Sequence, residues 1–128
     1  MDGEYLLTVA GTGFKNPDGV SREYLIKKFV HQGMPVFLVR EPGNQHDPNA
    51  IAVYIEAKRL FFFGPYRYQI GYVNKRWAAS FTKRMDAGGR IIQAYVRSFH
   101  APEDQDFPRV SIVAIVDWPK AKKKATAT

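Results

Sequence analysis

Leu38-Val-Arg-Glu-Pro-Gly-Asn-Gln-His-Asp-Pro-Asn-Ala-Ile-Ala-Val53 is the stretch that decides the reading of this chain. Its first residues complete an apolar run, Met34-Pro-Val-Phe-Leu-Val39, that reads as a strand, with Pro35 tolerated near the start. Arg40 to Asn44 reads as loop, and Ala50-Ile-Ala-Val-Tyr-Ile55 as the next strand, with Ala50, Ile51 and Val53 in the core. Asn44 and Asp47 fall in the connection between the two strands. Asparagine and aspartate side chains there can hydrogen-bond nearby backbone amides and fix a turn. That work is expected of Asn44 and Asn49, which leaves the Asp47 carboxylate for other chemistry.

Moving outward toward the C-terminus, Gln69-Ile-Gly-Tyr-Val73 reads as a further strand, and Asn74 as the N-cap of a helix. In that helix Trp77, Ala78, Phe81 and Met85 recur at helical spacing and form a core stripe. Gly88-Gly89 ends it. Ile91 to Phe99 and Val110 to Val116 read as long strands, joined by an acidic, proline-bearing loop, Ala101 to Pro108, expected to face water. Toward the N-terminus, Tyr5 to Val9 reads as the opening strand. After Gly11-Thr-Gly13 and Phe14, Ser21 caps a short helix through about Val30, with Leu25 and Phe29 on one face and Gly33 ending it.

The order is strand, helix, three strands, helix, two strands. It does not alternate as a doubly wound sheet would. A mostly β fold with two short α-helices, built as a small barrel of the oligonucleotide-binding (OB) type, accommodates it. Length favours one domain over residues 1–118, with residues 119–128 as a disordered basic tail. Lys58 to Arg67 stands apart: Phe61, Phe62, Phe63 and Tyr66 crowd around Gly64-Pro65. Three consecutive phenylalanines in a strand cannot share one face. They point to a homo-oligomer contact first, and to base stacking beside Arg59 and Arg67 second.

The net charge is +7, and it is unevenly placed. Lys58 to His100 holds nine Lys/Arg and one acid, Asp86, and the tail adds Lys120, Lys122, Lys123 and Lys124. The remainder carries six basic and eleven acidic residues. Concentrated positive charge attracts a polyanion, whether DNA, RNA or anionic lipid. There is no cysteine, which excludes disulfides, thiolate catalysis and cysteine-ligated zinc and fits an intracellular compartment. The acidic start, Met1-Asp2-Gly3-Glu4, lacks the features of a signal peptide, and no apolar run is long enough to span a bilayer.

The central stretch, followed by Gln69-Ile-Gly-Tyr-Val73 and a helix opening at Lys75, resembles the HIRAN domain. That module occurs beside helicase-like ATPases and alone in small microbial proteins. The family pattern is a strand ending in Arg-Glu, then Asn-Pro-Tyr-Asp-x-Asn-Ala-Ile-x-Val, then an Ile-Gly-Tyr/His strand entering a helix. The resemblance covers roughly Leu6 to Asp117. It implies an OB-like barrel that captures single-stranded DNA, particularly a free 3′ end, in repair or replication-related processing.

The resemblance assigns roles residue by residue. Asp47 takes the position of the carboxylate that accepts a hydrogen bond from a terminal 3′-hydroxyl. Such a carboxylate repels a 3′-phosphate or a continuing chain. His46 stands where the family commonly has Tyr, with Gln45 before it in place of Pro; a histidine stacks on a base over less area. Tyr72 and Lys75 match the Gly-Tyr/His-x-x-Lys stretch, and Lys75, with Arg76 beside it, lies in a first helical turn that favours phosphate. Phe14 falls near the family's exposed stacking aromatic, and a core position suits it equally. Asn44 joins these as a member of the nucleic-acid site.

Catalysis is not expected. His31, His46 and His100 lack metal-ligand spacing. Gly11-Thr-Gly13 lacks the Gly-Lys-Ser/Thr of a phosphate loop, and the run from Asp47 lacks the later Gly and Glu of a calcium loop. A nuclease on Asp47 and His46 would need Glu41 as a second acidic ligand. No cofactor is implied; a helicase or nuclease is the expected protein partner. A general single-stranded RNA/DNA binder, or a protein-interaction module, are the alternatives.

Overall fold

The computed structural model describes residues 2–58, 66–102 and 107–119. Phe61 to Phe63 and the tail beyond Pro119 lie outside the described residues. Six strands and two helices follow one another in the order expected: β1 (Asp2–Ala10), α1 (Arg22–Phe29), β2 (Phe37–Arg40), β3 (Ile51–Ala57), β4 (Tyr66–Val73), α2 (Lys75–Asp86), β5 (Arg90–His100) and β6 (Arg109–Asp117). All pairings are antiparallel, in the spatial order β2-β3-β4-β1-β6-β5.

The sheet curls until its two ends meet. Residues just before β2 reach β5 through Gly33 N to Val96 O (2.8 Å), Val96 N to Met34 O (2.9 Å) and Val36 N to Ala94 O (3.0 Å). Beyond Val36 the chain leaves β5 and pairs with β3, from Phe37 opposite Tyr54 to Arg40 opposite Ile51. The expected strand Met34 to Val39 is therefore two half-ladders with different partners. Its apolar pattern is continuous because both halves line the same core, with Met34 and Val36 buried.

Strand alternation builds that core. Leu7 and Val9 point inward from β1 while Leu6 and Thr8 face out, and Ile51, Val53 and Ile55 do the same work on β3. Phe81 of α2 is fully buried, and its ring meets Tyr5 at 5.2 Å and Trp118 at 5.1 Å between centroids, edge to face. Trp77 and Met85 pack against the core only in part. Helix α1 begins at its expected cap, where Ser21 Oγ accepts from Tyr24 N at 3.1 Å. It ends at Phe29, earlier than Gly33 would place it, because Val30 already has extended angles (φ −73°, ψ 131°). Gly33, at φ 87°, serves the following turn instead.

The expected water-facing loop also needs correction at its end. Pro108 is buried, and its carbonyl accepts from Thr12 Oγ1 at 2.6 Å, which ties the start of β6 to the corner after β1. Among the described residues no helix is long and apolar enough to cross a membrane.

Candidate nucleic-acid interface

The connection between β2 and β3 is a self-braced turn. Glu41 N donates to Ala50 O at 2.9 Å and Ala50 N to Asp47 O at 3.0 Å, closing the loop at its base. Inside it, Asn44 Oδ1 accepts from His46 N (2.8 Å) and Asp47 N (3.0 Å), the turn-fixing work expected of it. The same work expected of Asn49 falls to Asp47, whose Oδ1 accepts from Asn49 N at 2.9 Å. Asn49 contributes its carbonyl, which accepts from Thr82 Oγ1 at 3.1 Å and pins the turn to α2. Asp47 Oδ2 has no partner among the described residues.

The β4–β1 crossing forms the opposite wall. Val9 pairs with Val73 and Ala10 with Tyr72. Gly71, at φ 156°, permits this approach: a Cβ there would overlap the Ala10 carbonyl oxygen and the Val9 side chain. Tyr72 is thereby placed beside the turn, and its hydroxyl donates to Glu41 Oε1 at 2.9 Å. The same Glu41 oxygen accepts from Asn44 Nδ2 at 3.0 Å, so one carboxylate oxygen fixes both walls. Helix α2 starts directly after β4, with Asn74 Oδ1 accepting from Trp77 N at 3.1 Å. That cap sets Lys75 at the mouth.

Asn44, His46, Asp47, Tyr72 and Lys75 thus line one open cleft of about 250 Å³, completed by Ala10, Ala50 and Val73. Two other expected members do not line it. Arg76 is one helical step past Lys75, about 100° around the axis. Phe14 stands out from the corner that follows Ala10, 70% exposed, which removes it from the core.

Three supporting residues were not singled out as parts of this site by their position in the chain. Arg22, only 7% exposed, donates to Asn16 Oδ1 (2.8 Å) and Gly11 O (3.0 Å), and its guanidinium lies 5.5 Å from the centre of the Tyr72 ring. It makes no ion pair among the described residues. A cation at the first position of a helix opposes the helix dipole, and that is the sequence signal which marks Arg22 as engaged elsewhere. Glu41, considered above as a metal ligand, spends one oxygen on the walls of the cleft. Tyr54 is pushed above its ordinary pKa of 10.0, by burial first, then by Glu41 and Tyr72, with Arg22 opposing. Among the described residues no three His, Asp or Glu side chains cluster to hold a metal.

The fold and the cleft define an OB-like barrel with a largely apolar notch, edged by Asp47 and Lys75, at one strand-to-strand turn. The sequence pattern of the HIRAN domain matches residues 3–113, and the chain belongs to this family of DNA-binding modules. Two crystal structures share the fold. One is a protein from Lactobacillus plantarum, at 21% identity and TM-score 0.59, the match covering 90% of this chain and 98% of that one. The other is the HIRAN domain of human HLTF, at 22% identity and TM-score 0.54, covering 88% of this chain and 75% of that one. No curated protein matches the sequence.

Proposed function

We propose that this domain binds single-stranded DNA at a free 3′-hydroxyl end and carries out no reaction of its own. The observation that carries this reading is the pairing, within one cleft, of Lys75 with a carboxylate whose Oδ2 is unpartnered among the described residues. A ribose hydroxyl can donate to Asp47 while Lys75 holds the adjacent phosphate. A phosphorylated end would place like charges together, so the single acid confers end selectivity. Tyr72, steadied by Glu41 and Arg22, offers a ring for the terminal sugar or base, and His46 an exposed imidazole across from it. Such a module would bring a helicase or nuclease partner to exposed ends during repair or replication-related processing.

Fluorescence anisotropy with short DNA bearing free, phosphorylated or duplexed 3′ ends tests the reading. Free single-stranded ends are expected to bind best. Equal affinity for all three would replace end capture with general strand binding. Cleavage of the labelled DNA in magnesium would overturn the non-catalytic part.

A further inference from the structure

A second groove opens where the two ends of the barrel part, and it shares no residue with the cleft. It encloses about 300 Å³ between residues 35–39 and residues 91–94, with Arg67 also in its lining. Unbroken runs from both strands line it, so strand edges, not one face of a sheet, form its walls. Val36 N to Ala94 O is the last hydrogen bond between these strands; β2 then pairs only with β3, and the start of β5 only with β6. Main-chain direction alternates along β2. Val36 N is turned toward β5 and Glu41 N toward Ala50, so the amides and carbonyls of Leu38 and Arg40 face the groove side, with no strand to pair with. The two walls differ. β5 is bulged between Ile91 and Gln93, a device that blunts an edge. β2 pairs with β3 without a register shift and carries neither proline nor lysine, so it is the edge that another strand can extend.

We propose that this groove docks a protein partner through an extended segment that pairs with β2 and carries an apolar residue two positions before an acidic one. The occupant follows from the walls. Val39 and, across the groove, Ile92 are exposed apolar side chains. The Arg67 guanidinium lies 4.1 Å from the centre of the Phe37 ring. Glu56 Oε1 takes only its Nε, at 3.4 Å, which leaves Nη1 and Nη2 for a second carboxylate. A segment antiparallel to β2, as every pairing in this sheet is, sets its apolar side chain beside Val39 and its carboxylate on Arg67. The net charge of +7 favours an acidic occupant over a second copy of this chain. The proposal does not rest on end capture, because cleft and groove have no residue in common.

The probe is an amidated peptide, Thr-Val-Thr-Val-Thr-Glu-Thr, with a dye at its N-terminus, titrated by fluorescence anisotropy. Saturable binding to the wild type is expected. Arg67→Met, which keeps an unbranched apolar stem beside Phe37, should weaken it about 5-fold, the upper value for an exposed ion pair. Replacing the peptide's glutamate with lysine should weaken it more, because attraction becomes repulsion. On saturation, hydrogen exchange of the Leu38 and Arg40 amides should slow, while that of His46 in the cleft stays the same. The proposal is overturned by no saturable binding at millimolar peptide, by equal binding of the glutamate and lysine peptides, or by wild-type affinity in a folded Arg67→Met variant. Unchanged exchange at Leu38 would also overturn it, since the backbone of β2 would then be unpaired. Displacement of the peptide by an unlabelled 3′-hydroxyl trinucleotide would place the peptide in the cleft and likewise defeat the assignment.

Discussion

Asp47→Asn separates the two jobs that Asp47 does. Its Oδ1 accepts from Asn49 N at 2.9 Å and holds the turn, while Oδ2 has no partner among the described residues. An asparagine keeps a carbonyl oxygen for Asn49 and replaces the other oxygen with an amide. The turn survives and the charge goes. A hydrogen bond to a charged acceptor is worth about 1.5–3 kcal/mol, so affinity for 3′-hydroxyl DNA should fall about 10- to 150-fold. Affinity for 3′-phosphate DNA should rise, because two like charges about 5 Å apart repel by roughly 1–3 kcal/mol at effective dielectric constants between 80 and 20. The ratio of the two affinities, read by anisotropy at one salt concentration, should therefore collapse or invert. Asp47→Ala also loses the turn bond and should melt at a lower temperature than Asp47→Asn. An unchanged ratio in a folded Asp47→Asn variant would falsify the end-selection argument, however much both affinities moved together.

Three further outcomes follow from the same geometry. Lys75→Ala should weaken binding to hydroxyl and phosphate ends alike and reduce the slope of log K against log salt by about 0.7, one phosphate contact on a single strand. Gly71→Ala should cost more than about 2 kcal/mol of stability, since its Cβ would overlap the Ala10 carbonyl, and a wild-type melting curve would contradict the crossing described here. Tyr54 is held neutral in the fold, so its stabilising effect is complete below pH 10.0 and is lost as pH rises through its elevated folded pKa. Alkaline unfolding followed by circular dichroism should therefore begin at higher pH in Tyr54→Phe, and the same onset in both proteins would deny Tyr54 that role.

Much of the fold was legible because local signals agreed with one another. Ser21 and Asn74 both cap helices as their residue types predict, and the inward-outward alternation of β1 marks its core face. What the chain did not display was a change of partner in mid-run. Met34 and Val36 look no different from Leu38, yet pairing passes from β5 to β3 between them, and only the curl of the whole sheet decides where. The cleft divides in the same way. Asn44, His46, Asp47, Tyr72 and Lys75 lie in short recognisable runs. Arg22 and Glu41 act through contacts with residues far along the chain, such as the 31 positions separating Tyr72 from Glu41. Pattern along a sequence records which face a residue takes, but not which distant hydroxyl it will hold.

The way the barrel closes has a mechanical consequence. Between the approach to β2 and β5 the closure named above rests on three main-chain hydrogen bonds, whereas β1, β5 and β6 are joined by ladders seven or more pairs long. The molecule therefore has a hasp at this seam and a long weave across β1, β6 and β5, with a second short join of two pairs where β1 crosses β4. Springing the hasp costs far less than unfolding, and it frees only the approach from Gly33 to Val36: β2 stays laddered to β3, and the turn from Glu41 to Ala50 stays tied by Glu41 to Tyr72 and by Asn49 to Thr82. The turn carrying Asp47 is thus moored to β3, β4 and α2, away from the seam that yields first. Local opening at the seam therefore leaves the cleft standing on an unmoved support, since no residue of the seam lines it.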